Sequence, residues 1–99
     1  MLFHCHHKHD ENTCPSGDPE RMSATFAAVL PALEANDVKV IGAWVDPPAH
    51  EFFFVLETDD YQALTEGLRP ILRVGTAKIQ PVGDVAAQLQ ATMARLSES

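Results

Sequence analysis

The chain is short of positive charge: seven Lys and Arg stand against fourteen Asp and Glu, for a formal net charge of −7. Duplex nucleic acid and anionic membrane surfaces attract clustered basic residues, so neither is expected as a partner and cations are the better match. Long apolar runs are also missing. None approaches the ~20 residues of a membrane span, and the N-terminus turns polar at His4, too early for the apolar core of a secretory signal. The cytoplasm is the expected location. Cysteine is scarce, with only Cys5 and Cys14. In a reducing compartment such a pair serves as free thiols or ligands, although its spacing also permits a short disulfide loop after export. The sequence has no Gly-rich phosphate loop, no nucleophile elbow and no zinc-ribbon pair of CxxC motifs, so no established catalytic motif is available.

What is present suits folding. Of the 99 residues, 45% are hydrophobic and 21% charged, the balance of an ordinary globular protein. One domain over residues 1–99 is expected, small enough that dimerisation would help to bury its apolar surface.

"MLFHCHHK" lacks Gly and Pro and predicts a first strand over residues 2–9. "DENTCPSGDPE" is a turn cluster in which Asp18 is a natural helix N-cap and Pro19 suits the first helical position. Met22, Phe26, Val29, Leu30 and Leu33 follow at helical spacing, and Pro31 should kink or shorten that helix after about residue 30. A strand over 38–45, a Pro-Pro loop and a strand over 51–57 then predict an antiparallel hairpin. A second helix carries Tyr61, Leu64, Leu68 and Leu72 on one face, with Asp59 and Asp60 at its start and Pro70 bending it or ending it early. "AKIQPV" reads as a fourth strand, and Asp84 as the cap of a last helix bearing Val85, Leu89, Met93 and Leu96 along one side.

The resulting order, β-α-β-β-α-β plus a C-terminal helix, is that of an α+β, ferredoxin-like protein with a four-stranded antiparallel sheet and two main helices on one face. The opposite face should then be polar. Instead Phe52, Phe54 and Leu56 alternate with Phe53 and Val55, and Trp44 lies in the preceding strand, so both faces are apolar and a second cover is implied. A partner subunit is the expected cover, giving a homodimer through the sheet face. Trp44 and the Phe52–Phe54 run fit core and interface better than a cofactor site. Glu57, Asp59 and Asp60 fit helix-start electrostatics better than acid/base catalysis.

Residues 42–82, "GAWVDPPAHEFFFVLETDDYQALTEGLRPILRVGTAKIQPV", resemble small uncharacterised proteins of the dimeric α/β-barrel type, including the DUF3303-like group. The shared pattern is a strand, a Pro-containing hairpin loop, an aromatic strand ending in acidic residues before an "A-L" helix start, and a short strand ending in "P-V". The resemblance implies the dimeric α/β-barrel fold and dimerisation without naming a substrate. Proteins of this type commonly pair sheet against sheet around a lumen, where monooxygenases, isomerases and some haem proteins keep their sites; fold alone does not assign one of these functions.

The stretch with a chemical bias is "HCHHKHDENTC", residues 4–14, which holds four of the five histidines and both cysteines. Imidazole and thiolate are ligands for zinc, copper, nickel and iron, whereas magnesium and calcium favour oxygen. Strand alternation sends His4 and His6 to one face with Leu2 and Lys8, and Cys5, His7 and His9 to the other with Phe3. Phe3 and Cys5 are the more apolar pair, so their face should lie under the helices and His4 and His6 should face the space between sheets. His7 and His9 would lie near the strand's exit, where the next loop can return Cys14.

Two ligand sets follow, His4/His6 and His7/His9/Cys14, and a one-residue register error would exchange the faces. Singly, each of these residues is more commonly an ordinary strand or core residue, Cys5 among them. His50, in the hairpin loop, reads as a solvated loop residue that could complete a site across the dimer.

Three functions are open at this point. The first is a transition-metal-binding homodimer that sequesters, delivers or senses an ion through the N-terminal His/Cys strand. The second is a small-molecule enzyme with a lumen site, metal- or haem-assisted and monooxygenase- or isomerase-like, using His4 or His6. The third is a structural or regulatory dimer.

Overall fold

The computed structural model describes residues 1–98, so of the domain expected over 1–99 only Ser99 lies outside the described residues. The elements run β1 (Leu2–Lys8), α1 (Pro19–Ala24), α2 (Phe26–Ala35), β2 (Lys39–Asp46), β3 (Glu51–Glu57), α3 (Tyr61–Leu72), β4 (Thr76–Val82) and α4 (Val85–Ser97). The four strands form one antiparallel sheet in the order β2-β3-β1-β4, the ferredoxin-like arrangement. No helix among the described residues is long and apolar enough to cross a membrane.

Strand alternation decides what each face carries. Phe3 and Cys5 on β1 and Phe54 and Leu56 on β3 are buried in one core with Val29 and Leu33 of α2 and Leu64, Leu68 and Ile71 of α3. Burying each such side chain contributes about 1.5–3 kcal/mol, so this layer is what holds α2 and α3 on the sheet. His4 and His6 lie on the other face, as the pairing of His6 with Phe53 and of Phe53 with Trp44 requires.

The helix starts follow the expected chemistry. Asp18 accepts hydrogen bonds from the amides of Glu20 and Arg21, Asp60 from Gln62 and Ala63, and Asp84 from Ala87. The first helical segment breaks at Thr25, however, and not at Pro31. The Thr25 hydroxyl donates to the Arg21 carbonyl at 2.6 Å, and its backbone leaves the helical region at φ −119° and ψ −92°. Such side-chain bonding to the preceding turn competes with the helical ladder. The helix restarts at Phe26 and runs through Pro31. Pro31 and Ala27 both lie on the exposed side, so solvent can take up the carbonyl that the proline leaves without a donor.

In α3 the buried face is Leu64, Gly67, Leu68 and Ile71, while Tyr61 and Leu72 are 55% and 38% exposed. Residues 64 and 71 are nearly two full turns apart and align, whereas residue 72 is rotated by about 80° from residue 64. Pro70 lies inside the last turn, and α3 ends two residues beyond it, at Leu72.

Trp44, in β2, is 58% exposed on the uncovered sheet face and lies over Gly42, where any Cβ would collide with the indole ring. A bulge between Val40 and Gly42 sets this part of the β2 register. Beyond the sheet, α4 has no buried residue: Val85, Leu89 and Met93 are 71%, 59% and 65% exposed. The molecule is correspondingly elongated, 60 × 28 × 16 Å.

Candidate metal centre

His7 sits on the helix-covered side of β1 and is fully buried. Its Nε2–H donates to the Ile71 carbonyl at 2.8 Å, which ties the strand to the end of α3 and fixes the ring tautomer. Nδ1 is buried with no hydrogen-bond partner. Burial lowers the basicity of this imidazole against the opposing effect of its backbone hydrogen bonds. His7 is therefore a neutral core histidine, turned toward α3.

His9 lies just past the end of β1 and is also buried. Its amide donates to the His50 carbonyl at 3.1 Å, continuing the β1–β3 ladder one step beyond the Lys8–Glu51 pair. His50 has φ of +56° and donates its own amide to the Pro47 carbonyl at 3.1 Å, closing the hairpin turn. These main-chain constraints bring the two rings together, with His50 Nδ1 3.2 Å from His9 Nε2. Burial, followed by the neighbouring His7 and His50 rings, pushes the basicity of His9 down.

Cys14 is delivered by the turn that follows. The Asp10 carboxylate accepts from the amides of Asn12 and Thr13 and from the Thr13 hydroxyl, and the Cys14 amide donates to the Asp10 carbonyl at 3.0 Å. Those donors hold the Asp10 carboxyl below the usual carboxylate range. The chain thus doubles back on His9, and the fully buried Pro15 anchors it. The Cys14 thiol lies 3.2 Å from the Ser16 hydroxyl.

One ligating atom each from His9, Cys14 and His50 lie within 4.8 Å of one another. Two nitrogens bound to a tetrahedral zinc at ~2.0–2.1 Å are about 3.3 Å apart, close to the observed imidazole separation. The donor set, two imidazoles and a thiolate, suits zinc, copper or another thiophilic ion and is a poor match for magnesium or calcium. Three protein donors of this kind would leave the fourth position of a tetrahedral ion open.

Gly75, just before β4, lies against the backbone of Lys8 and the side chains of His7 and His9. Its φ is +128°, and a Cβ there would collide with the Lys8 carbonyl and approach His7 Nε2 and His9 Cβ to 3.0 Å. A side chain at this position would strain the backbone and displace the histidines.

Of the histidines and cysteines singled out in the sequence, the structure brings His9 and Cys14 together. His7 stays with Ile71. His4 and His6 are on the far side of the sheet, where the His6 ring stacks on Phe53 with centroids 4.9 Å apart and Nε2 lies 3.5 Å from a Glu51 carboxylate oxygen. Cys5 and Cys14 are free thiols; burial pushes the Cys5 pKa up to about 11, which keeps it protonated in the core.

The third member, His50, reaches the site within the same chain. Its signal was present in the hairpin: once β3 is placed beside β1 with Glu51 opposite Lys8, residue 50 must face residue 9.

The family model described as "Domain of unknown function (DUF3303)" matches residues 1–97. The chain belongs to this DUF3303 family. The match spans the His/Cys cluster as well as the hairpin and α3 that carry the resemblance in the sequence. Among curated proteins none matches the chain.

Proposed function

We propose that this DUF3303 protein binds a transition-metal ion through His9, Cys14 and His50 and serves to sequester, deliver or sense it as a homodimer. The observation that carries the reading is the convergence of three ligating atoms, from two imidazoles and a thiol, contributed by the end of β1, the turn after it and the β2–β3 hairpin. A formal net charge of −7 adds long-range attraction for cations. Zinc and copper fit the donors best, with nickel and iron as weaker matches. His4, His6 and His7 fall outside the proposed ligand set, and residues 1–99 act as one cytoplasmic domain.

The homodimer part of the proposal draws on the uncovered sheet face and on α4. Trp44 and Ile41 are 58% and 49% exposed, and the Val85, Leu89 and Met93 side of α4 is more exposed still. A second copy laid sheet against sheet would cover the first surface and offer α4 a flank to pack on.

The deciding experiment is metal analysis of untagged protein purified from metal-replete medium, compared with His9→Ala, Cys14→Ser and His50→Ala variants. Near-stoichiometric metal in the wild type and loss in each variant is the expected result. Metal-free wild type, or variants that bind as well as the wild type, would end the proposal.

A second reading, an enzyme with a lumen between paired sheets, draws on His4 and His6 facing the uncovered side beside Phe53. It expects haem or metal binding that responds to His4→Ala and His6→Ala and is indifferent to Cys14→Ser.

A further inference from the structure

Beside the His9, Cys14 and His50 group lies a cavity of about 470 Å³. Its walls are Met22 and Phe26 from α1 and α2, and Val45 and Phe52 from β2 and β3; its polar end is the three candidate ligands and Ser16. Phe26 and Phe52 meet edge-to-face with centroids 4.7 Å apart, and Phe26 also lies 4.9 Å from the His9 ring. The aromatic wall therefore runs up to the candidate ligands. A pocket of this size is in the range that encloses a small organic molecule, and apolar walls with a few convergent polar atoms are the usual form of such sites.

We infer that this cavity binds a small aromatic monoanion whose anionic head completes the coordination of the metal. The inference rests on the metal-binding reading above and adds the class of molecule the site accepts. A divalent ion with one thiolate and two neutral imidazoles carries a net charge of +1. In an apolar, partly enclosed space an uncompensated charge is costly, and a single anionic donor removes it. A dianion would restore a net charge of the opposite sign, and a neutral amine would leave the original one.

The remainder of the ligand must satisfy the walls. Phe26 and Phe52 offer ring faces and edges, Met22 a polarizable thioether, and none of the three offers a hydrogen-bond donor to a polar tail. A flat aromatic group therefore fits the walls, and its anionic head points to the metal. Ser16, at the same polar end, supports the arrangement. With Cys14 ionised, the Ser16 hydroxyl, 3.2 Å from Sγ, rotates to donate to the thiolate and steadies it while the fourth ligand exchanges. Ala27 and Val45 are exposed residues that line the cavity and lie outside the candidate ligand group, so enlarging either takes up space for the tail.

The probes are benzohydroxamate and acetohydroxamate, which share a metal-binding head and differ in the aryl tail. Metal loading is measured first and separately, on the full chain, with zinc and with cobalt as a spectroscopic substitute. In zinc-loaded wild type, benzohydroxamate should bind at least tenfold more tightly than acetohydroxamate. It should also change the visible absorption of the cobalt-loaded protein. Ala27→Phe and Val45→Phe, checked for unchanged thermal unfolding and metal loading, should each abolish the aryl preference and leave acetohydroxamate binding unchanged. Two variants on different elements keep the test valid if one of them misfolds.

Equal affinities for the two probes in wild type, or benzohydroxamate binding without a spectral change, would overturn the inference and leave the metal site standing. Equal binding of benzohydroxamate to metal-free protein would overturn it in the same way. Failure to load metal would overturn both readings together.

Discussion

His9 and His50 are joined twice: the amide of His9 donates to the His50 carbonyl at 3.1 Å, and their imidazole nitrogens stand 3.2 Å apart. The backbone link places the rings, and the rings then share one small volume with Cys14. An N–H···N hydrogen bond and a shared ion are alternative uses of the same geometry, and the imidazole protons distinguish them.

Loss of a ligand should therefore be severe for metal and mild for the fold. Cys14→Ser and His50→Ala should each weaken zinc binding by more than the roughly 10–100-fold that follows removal of a ligand's hydrogen-bonding partner. Competition against a chromophoric chelator measures this. Metal-free Cys14→Ser should unfold within about 0.5 kcal/mol of wild type, as expected for a change outside the core.

Metal-free protein should lose stability as the solution is acidified. Burial lowers the pKa of His7 and of His9 below the ordinary value of 6.5, so the folded chain refuses protons that the unfolded chain accepts. The stabilisation is complete above the unfolded value, near pH 6.5, and falls away as pH drops from there toward the lowered folded values. Thermal unfolding across about pH 8 to pH 5 should show this decline, and Tm rising with acidification would contradict it.

His7→Ala should destabilise the protein by about 3 kcal/mol, since it empties a fully buried site and leaves the Ile71 carbonyl without its donor. Urea unfolding gives the value. His7 neighbours the His9 ring, with centroids 5.6 Å apart, but directs Nε2 at α3 and adds no atom to the candidate ligand group, so the zinc affinity of folded His7→Ala should stay within about tenfold of wild type, roughly 1.4 kcal/mol.

Gly75→Ala should cost about 2 kcal/mol or more, because it combines a disfavoured φ with a collision against the Lys8 carbonyl. Its metal affinity should fall as well, since the added methyl also presses on His9 Cβ. A variant as stable as wild type would show that the β4 turn can adopt another path.

Trp44 is the only tryptophan and is more than half exposed on the open sheet face, which makes it a direct reporter of the proposed dimer. Its emission should shift to longer wavelength on dilution, in step with a fall in mass by sedimentation. Trp44→Glu should hold the protein as a monomer, because a buried charge opposite an apolar sheet is costly.

The strand and cap chemistry is legible in the sequence itself. Asp18, Asp60 and Asp84 cap as their neighbours suggest, and Phe3 with Cys5 correctly turns one side of β1 under the helices. Less legible was the break at Thr25. A proline is the louder signal, yet one hydroxyl bonded to the Arg21 carbonyl moved the break upstream and left Pro31 on a solvated side. His50 was harder still. Local sequence around it reads only as a turn, and its meaning comes from the strand order, which sets a loop 41 residues away against the end of β1. Which of Ile71 and Leu72 enters the core was a matter of helical phase, visible once the seven-residue alignment with Leu64 is respected.

The Asp10 turn that carries Cys14 back to His9 gives the three candidate ligands an uneven character. Two stand at the end of a hydrogen-bonded ladder and one rides on a short surface loop. A bound ion would then act as a detachable staple between the first strand and the hairpin. Like a disulfide, it would shorten the free chain available to the unfolded protein, but a chelator could open it without any redox chemistry.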